Sequence, residues 1–238
     1  MSDTGGSKEA AQSAVNMVSY ERQTVDSPNP IARFAHRSRV AKSVALAEKY
    51  LPPEGVVVDF GAGTGLFLST LGTKRLDAKL YAIEPFMPAA TDPRIRYVPD
   101  FATLDQEADL ITAFEVCEHL LDDEPEKFLL DAGRSLKAGG KLIISVPIMI
   151  GGALILKEMN KAMLNRSRFE YSASELIAGI FGRTVERPPG QRWSHKGFDY
   201  RWLRKKISER FIIEREMLSP LPLPWWANSQ IFFICRKV

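Results

Sequence analysis

The sequence predicts an α/β fold in three layers, a mostly parallel sheet with helices on both faces, closed by an antiparallel strand pair near the C-terminal end. Three observations predict it. Short β-branched runs alternate with segments of helical apolar spacing, which is the pattern of a parallel sheet covered on both sides. The first strand-like run leads through a glycine-rich turn into an apolar segment. The last two strand-like runs, "FIIEREMLS" and "QIFFICRKV", are joined by the proline-rich "PLPLPWWANS" with no helix between them, so they pair antiparallel.

Taken in chain order, "MSDTGGSKEAAQS" lacks an apolar core for a secretory signal and reads as part of a disordered tail over residues 1–28. Residues 29–238 read as a single domain. "IARFAHRSRVAKSVALAEKYL" carries helical apolar spacing and stops at Pro52-Pro53. Strands are expected at "VVVDF", "KLYAIE", "IRYVP", "ADLITAF" and "KLIISVP", with helical stretches between several of them. The longest uncharged run, "LIISVPIMIGGALIL", has 15 residues and is broken by Pro147 and a glycine pair. That is short of the ~20 residues a membrane span requires.

In "VVVDFGAGTGLFL", Val56 to Leu68, Gly61, Gly63 and Gly65 fall where a strand gives way to a helix. Three glycines in five residues point to positive φ angles or to a backbone that a ligand approaches closely. A helix N-terminus adds unpaired N–H groups and a positive dipole end, suited to a carboxylate or phosphate. The dinucleotide pattern G-x-G-x-x-G/A fails because Leu66 stands at its last position, and no G-K-[ST] follows Gly65 to make a P-loop.

The series Asp59, Gly61, Gly63, Gly65 after a hydrophobic strand resembles motif I of class I S-adenosylmethionine (SAM)-dependent methyltransferases. That resemblance covers roughly Leu51 to Val146. It implies a Rossmann-like seven-stranded sheet of order 3-2-1-4-5-7-6, and SAM as cofactor. Asp59, Gly61, Ala62, Gly63 and Gly65 would form the cofactor turn. Glu84, 19 residues after Gly65 and followed by Pro85, ends the second strand, near the ~20-residue spacing at which an acid reaches ribose hydroxyls. By the same resemblance Asp100 and Phe101 would meet the adenine, and Phe114 and Glu115 the methionine part.

"EVCEH" sets Glu115, Glu118 and His119 at helical spacing, which would place two carboxylates and an imidazole on one face. Such a set binds a divalent cation or performs acid–base work. It resembles the E-x-x-E-H motif of metal-dependent O-methyltransferases, among them small-RNA 2′-O-methyltransferases in which a later histidine completes the site. His195 in "SHKGFDYRW" matches that position, with Gly197 as an extra residue. The resemblance implies Glu115, Glu118, His119 and His195 as ligands of Mg²⁺, Mn²⁺ or Zn²⁺. Without metal, His119 or His195 is the candidate general base, with Glu118 beside it.

The formal charge of +3 is too small to imply nucleic acid, but positive charge gathers between Lys157 and Arg210, with 13 Lys/Arg against 6 Asp/Glu. Together with "IMIGGALILKEMNKAML" this marks a basic substrate-side or lid insertion over about 148–205. An anionic acceptor is expected: a small molecule, a glycan or a lipid-linked molecule, with RNA as the alternative and peripheral membrane contact open. A SAM-binding module without catalysis is the remaining alternative. Cys117 and Cys235 are too few for a disulfide framework and suggest a reducing, cytoplasmic setting.

Overall fold

The computed structural model describes residues 30–84, 92–165, 170–192, 194–221 and 223–238. The expected tail and Pro85 lie outside these residues. Seven strands form one sheet of order β3-β2-β1-β4-β5-β7-β6, the order that the sequence resemblance implies. The chain divides into two units, residues 1–105 and 106–238.

In the first unit, helix α1 (Pro30–Tyr50) precedes β1 (Val56–Phe60), α2 (Leu66–Lys74), β2 (Lys79–Ile83) and β3 (Ile95–Val98). β1 pairs parallel with β2, and β2 with β3. Val56, Val57 and Val58 are all buried, as expected of β-branched residues in a strand covered on both faces. Phe67, Leu68 and Leu71 fix the buried side of α2. Burying each such side chain contributes about 1.5–3 kcal/mol relative to exposure.

The second unit holds β4 (Ala108–Phe114), α3 (Glu124–Ser135), β5 (Leu136–Pro147), α4 (Gly152–Asn165), α5 (Ala173–Ile180), α6 (Tyr200–Ser208), β6 (Phe211–Ser219) and β7 (Gln230–Lys237). α3 begins with Glu124 and Glu126 in its first turn and ends with Arg134 in its last, charges placed to complement the helix dipole. α5 opens on a capping box, Ser172 and Glu175 each bonding the other's backbone N–H. β4 and β5 run parallel, while β7 runs antiparallel between β5 and β6. β5 starts at Leu136, five residues before "KLIISVP", because Ala108 pairs with Leu136 across a register shift that ends at Leu110. Phe211, Phe232 and Phe233 lie fully buried among the strands' neighbours. Among the described residues no helix is long and apolar enough to cross a membrane.

Candidate active site

The glycine turn belongs to the first unit. Gly61, Gly63 and Gly65 have φ of 71°, 53° and 72°, left-handed values that side-chain-bearing residues rarely adopt. The turn is tied to the end of β2: Gly61 N–H donates to Ile83 O at 2.8 Å, and Gly63 N–H donates to Glu84 Oε2 at 2.8 Å. Gly65 is the N-cap of α2 and contributes no side-chain cap, so the first turn of that helix presents backbone N–H groups alone. Asp59 is buried in β1, paired in register with Ala82. Ala62 O accepts from Gly65 N–H at 2.9 Å.

Asp100 is exposed and caps a short turn over Phe101–Thr103, accepting from Thr103 N–H at 3.0 Å. Phe101 is buried and stacks on Phe60, with ring centroids 5.7 Å apart and planes 18° apart. Phe60 carries no signal in the sequence beyond its place in the motif, yet it supplies the aromatic partner.

In the second unit, residues 115–119 are not the helix face that the E-x-x-E-H spacing suggests. Glu115 has φ 56°, and only Cys117–His119 forms a turn, of 3-10 type. Glu115 N–H donates to Ser145 O at 2.9 Å, which continues the β4–β5 pairing past Phe114 and turns the chain before a helix starts. Glu115 Oε1 accepts from Gln230 Nε2 at 2.8 Å and from Ser145 Oγ at 3.4 Å. Phe114 packs at a tilt against Phe232, 6.1 Å between centroids.

Glu118, His119 and His195 do converge. One ligand atom from each lies within 4.8 Å of the others. The two imidazole Nε2 atoms are 3.4 Å apart and the ring centroids 4.9 Å. Glu115 is not a member of this set. Glu118 is fully buried. Burial also lowers the His119 pKa below its ordinary value, because the imidazolium loses solvation. Cys117 is buried and its thiol pKa is raised well above normal by desolvation, so no thiolate is on offer here.

His195 arrives on a strap, residues 185–192 and 194–198, pinned by groups that the sequence alone did not mark. Arg187 donates to the carbonyls of Glu118 and Leu120. Arg192 forks onto Glu124 at 2.7 and 2.8 Å and donates to His119 O at 3.3 Å. The carbonyl of Arg192 lies 2.8 Å from His119 Nδ1. Gly197, the residue that departs from the resemblance, has φ 74°, and a Cβ there would sit 2.6 Å from Arg187 N and Cα and from Val185 O. Only glycine lets the His195 turn lie against residues 185–187.

Much of the basic excess is internally engaged. Arg192, Lys196, Arg201, Arg204 and Lys206 form ion pairs with Glu124, Glu175, Asp199, Glu216 and Glu126. Lys157 donates to Ile148 O and Ser229 O. The strap and the pairs made by Arg192 and Lys206 have no local sequence signature, because those two side chains meet their partners 68 and 80 residues away.

A family model described as a methyltransferase domain matches residues 32–179. No curated protein matches. Among solved structures, the chain is similar to the N-methyltransferase NodS from Bradyrhizobium japonicum WM9, at 14% identity and TM-score 0.54, covering 86% of this chain and 97% of that one. Magnesium protoporphyrin IX methyltransferase from Synechocystis PCC 6803 with bound S-adenosylhomocysteine (SAH) matches at 18% identity and TM-score 0.53, over 88% of each chain. A SAM-dependent methyltransferase from Clostridium acetobutylicum ATCC 824 matches at 12% identity and TM-score 0.59, over 94% of this chain and 98% of that one. At these identities the likeness shows the fold.

Proposed function

Because this chain belongs to the methyltransferase domain family, we propose that it is a SAM-dependent enzyme that methylates a hydroxyl on a small-molecule, glycan or lipid-linked acceptor, with His119 as general base. The observation that carries the reading is the His119–His195 pair, whose Nε2 atoms meet at 3.4 Å while His119 Nδ1 is held by a carbonyl.

The glycine turn fits the cofactor. Its left-handed glycines and the uncapped start of α2 suit a carboxylate. The Glu84 carboxylate stands at the end of β2 on the glycine turn, bonded to Gly63 N–H, the place from which an acid reaches ribose hydroxyls in folds of this kind. SAM supplies a sulfonium methyl that an oxygen attacks in line. The chain's own residues do the rest. Backbone and Glu84 hold and orient the cofactor, and an imidazole kept neutral by burial takes the hydroxyl proton at Nε2.

Glu118, His119 and His195 also fit a divalent cation. They offer one carboxylate and two imidazole donors at mutual distances suited to one ion, and His119 has the carbonyl partner on its other nitrogen that metal-bound histidines typically keep. A bound cation there would lower the acceptor hydroxyl's pKa and orient it. The same three residues favour RNA 2′-O-methylation as the second reading. The test is SAH release measured against hydroxylated lipids, sugars, quinol precursors and short RNAs, in wild type and His119→Ala. A chain that neither binds SAM in calorimetry nor releases SAH with any of them would refute the proposal.

A further inference from the structure

The two nitrogens of His119 have unlike neighbours, and the difference sets which of them carries a proton. Nδ1 is 2.8 Å from the Arg192 carbonyl. A carbonyl oxygen only accepts, so Nδ1 bears the hydrogen and the neutral ring keeps its lone pair on Nε2, on the His195 side. Nothing in the turn over Cys117–His119 imposes this. The carbonyl comes from 73 residues further along the chain, and it stays in place only if Arg192 does.

Arg192 is held by its own side chain. The guanidinium forks onto both Glu124 oxygens at 2.7 and 2.8 Å and reaches His119 O at 3.3 Å. Glu124 is anchored in turn, its Oε2 accepting from Leu121 N–H at 2.9 Å. One arginine therefore grips one histidine twice, the carbonyl on the ring and the guanidinium on the backbone. The fork needs two parallel N–H donors, which a lysine lacks.

We propose that the Glu124–Arg192 ion pair is a positioning device that fixes the Nδ1–H tautomer of His119, so that Glu124 and Arg192 govern turnover without touching the substrate. This rests on His119 being the base. An imidazole in the other tautomer has its hydrogen on Nε2, where it neither accepts a hydroxyl proton nor binds a cation. In a well-characterised catalytic triad, the wrong tautomer lowers turnover by up to about 10⁴.

The experiment reads the ring directly. The chain has only three histidines, His36, His119 and His195, so two-bond ¹H–¹⁵N spectra of histidine-labelled protein, recorded in chelator at neutral pH, are assignable with His36→Asn and His195→Asn. Wild type is expected to show His119 protonated at Nδ1. In Glu124→Gln the signal should move toward the Nε2–H form or a mixture, with kcat falling at least about 10-fold and SAM affinity unchanged within about 3-fold. Arg192→Lys, which keeps the charge and loses the fork, should behave alike, and it carries the same decision if Glu124→Gln does not fold. An unchanged Nδ1–H pattern in a folded variant overturns the inference. A switched tautomer with unchanged turnover upholds the ion pair's hold on the ring and overturns His119 as the base.

Discussion

Replacing Gly197 by Ala perturbs one contact whose cost follows from the structure. At φ 74° the added methyl would sit 2.6 Å from three backbone atoms, Arg187 N and Cα and Val185 O, where an ordinary contact is at least 3.4 Å. Backbone cannot rotate out of the way, so residues 185–187 must retreat by about 0.8 Å, the difference between those two distances. Overpacking of that kind costs about 1–3 kcal/mol, and the left-handed backbone adds about 1–2 kcal/mol for alanine. The stiffer unfolded chain returns about 0.4–1 kcal/mol. The net loss is about 2–4 kcal/mol, or ~5–15 °C in melting temperature for a chain of this size. Gly139→Ala supplies the control, because Gly139 has φ 81° but nothing within 4 Å of the place its added methyl would take; there only the backbone strain applies, about 1 kcal/mol and ~2–4 °C. Both variants are compared by thermal and chemical denaturation. Turnover should also fall at least about 10-fold in Gly197→Ala, because Arg187 carries the carbonyls of Glu118 and Leu120 with it. A Gly197→Ala loss no larger than that of Gly139→Ala would refute the packing argument.

The cofactor turn yields two further expectations. Glu84→Ala removes a charge-assisted acceptor worth ~1.5–3 kcal/mol and should weaken SAM binding in calorimetry by roughly 10- to 150-fold; a change below about 3-fold would exclude Glu84 as a ribose ligand. Gly63→Val should abolish SAM binding with the circular dichroism spectrum retained, and unchanged affinity would remove the turn from the cofactor site. Turnover measured after chelation and after adding back Mg²⁺, Mn²⁺ or Zn²⁺ separates the two roles of Glu118, His119 and His195, since activity indifferent to chelator leaves His119 as the base. Glu175 gives a pH signature: hydrogen bonds from Lys196 and from Ser172 N–H hold its carboxyl down at about 2 against an ordinary 4.5. The unfolded chain then takes up the proton first, so this contribution is full above about pH 4.5 and is lost as pH falls through about 2. The melting-temperature gap between wild type and Glu175→Gln should accordingly close between pH 5 and pH 2, and a gap that widens would contradict the assignment.

The readings that depended on local geometry were legible in the sequence. Three glycines in five residues forecast three left-handed backbone positions, because little else explains such a cost in conformational entropy. The spacing marks Glu84 as a ribose ligand, and the structure puts its carboxylate on the glycine turn, bonded to Gly63 N–H. The two strand-like runs around "PLPLPWWANS" do pair antiparallel. Features that depend on how the chain continues past a motif are not legible in the same way. The helical spacing of Glu115 and Glu118 presumes a helix, whereas the bond from Glu115 N–H to Ser145 O extends the sheet by one residue and sends the carboxylate to Gln230. The strap was invisible, since Arg187, Arg192 and Glu124 meet their partners 67 to 73 residues away. The basic excess over residues 157–210 is plain in the sequence, but composition does not reveal that five of those cations face carboxylates.

The place of β7 bears on how the second unit is born. A chain leaves the ribosome in sequence order, yet the strand that joins β5 to β6 comes after both. During synthesis each of those two strands waits with an open edge, and an open edge invites pairing with other chains. β6 meets that interval with Glu214, Arg215 and Glu216 in succession, all exposed, charges that discourage a stray strand. The charges of β5 stop at Lys137 and Lys141, and its residues from Leu142 to Val146 are apolar except Ser145. The interval between making β5 and making β7, some 80 residues of translation, is therefore when a nascent copy is most exposed to aggregation, and slowing translation over residues 148–229 should lower the soluble yield more than slowing it anywhere before β5.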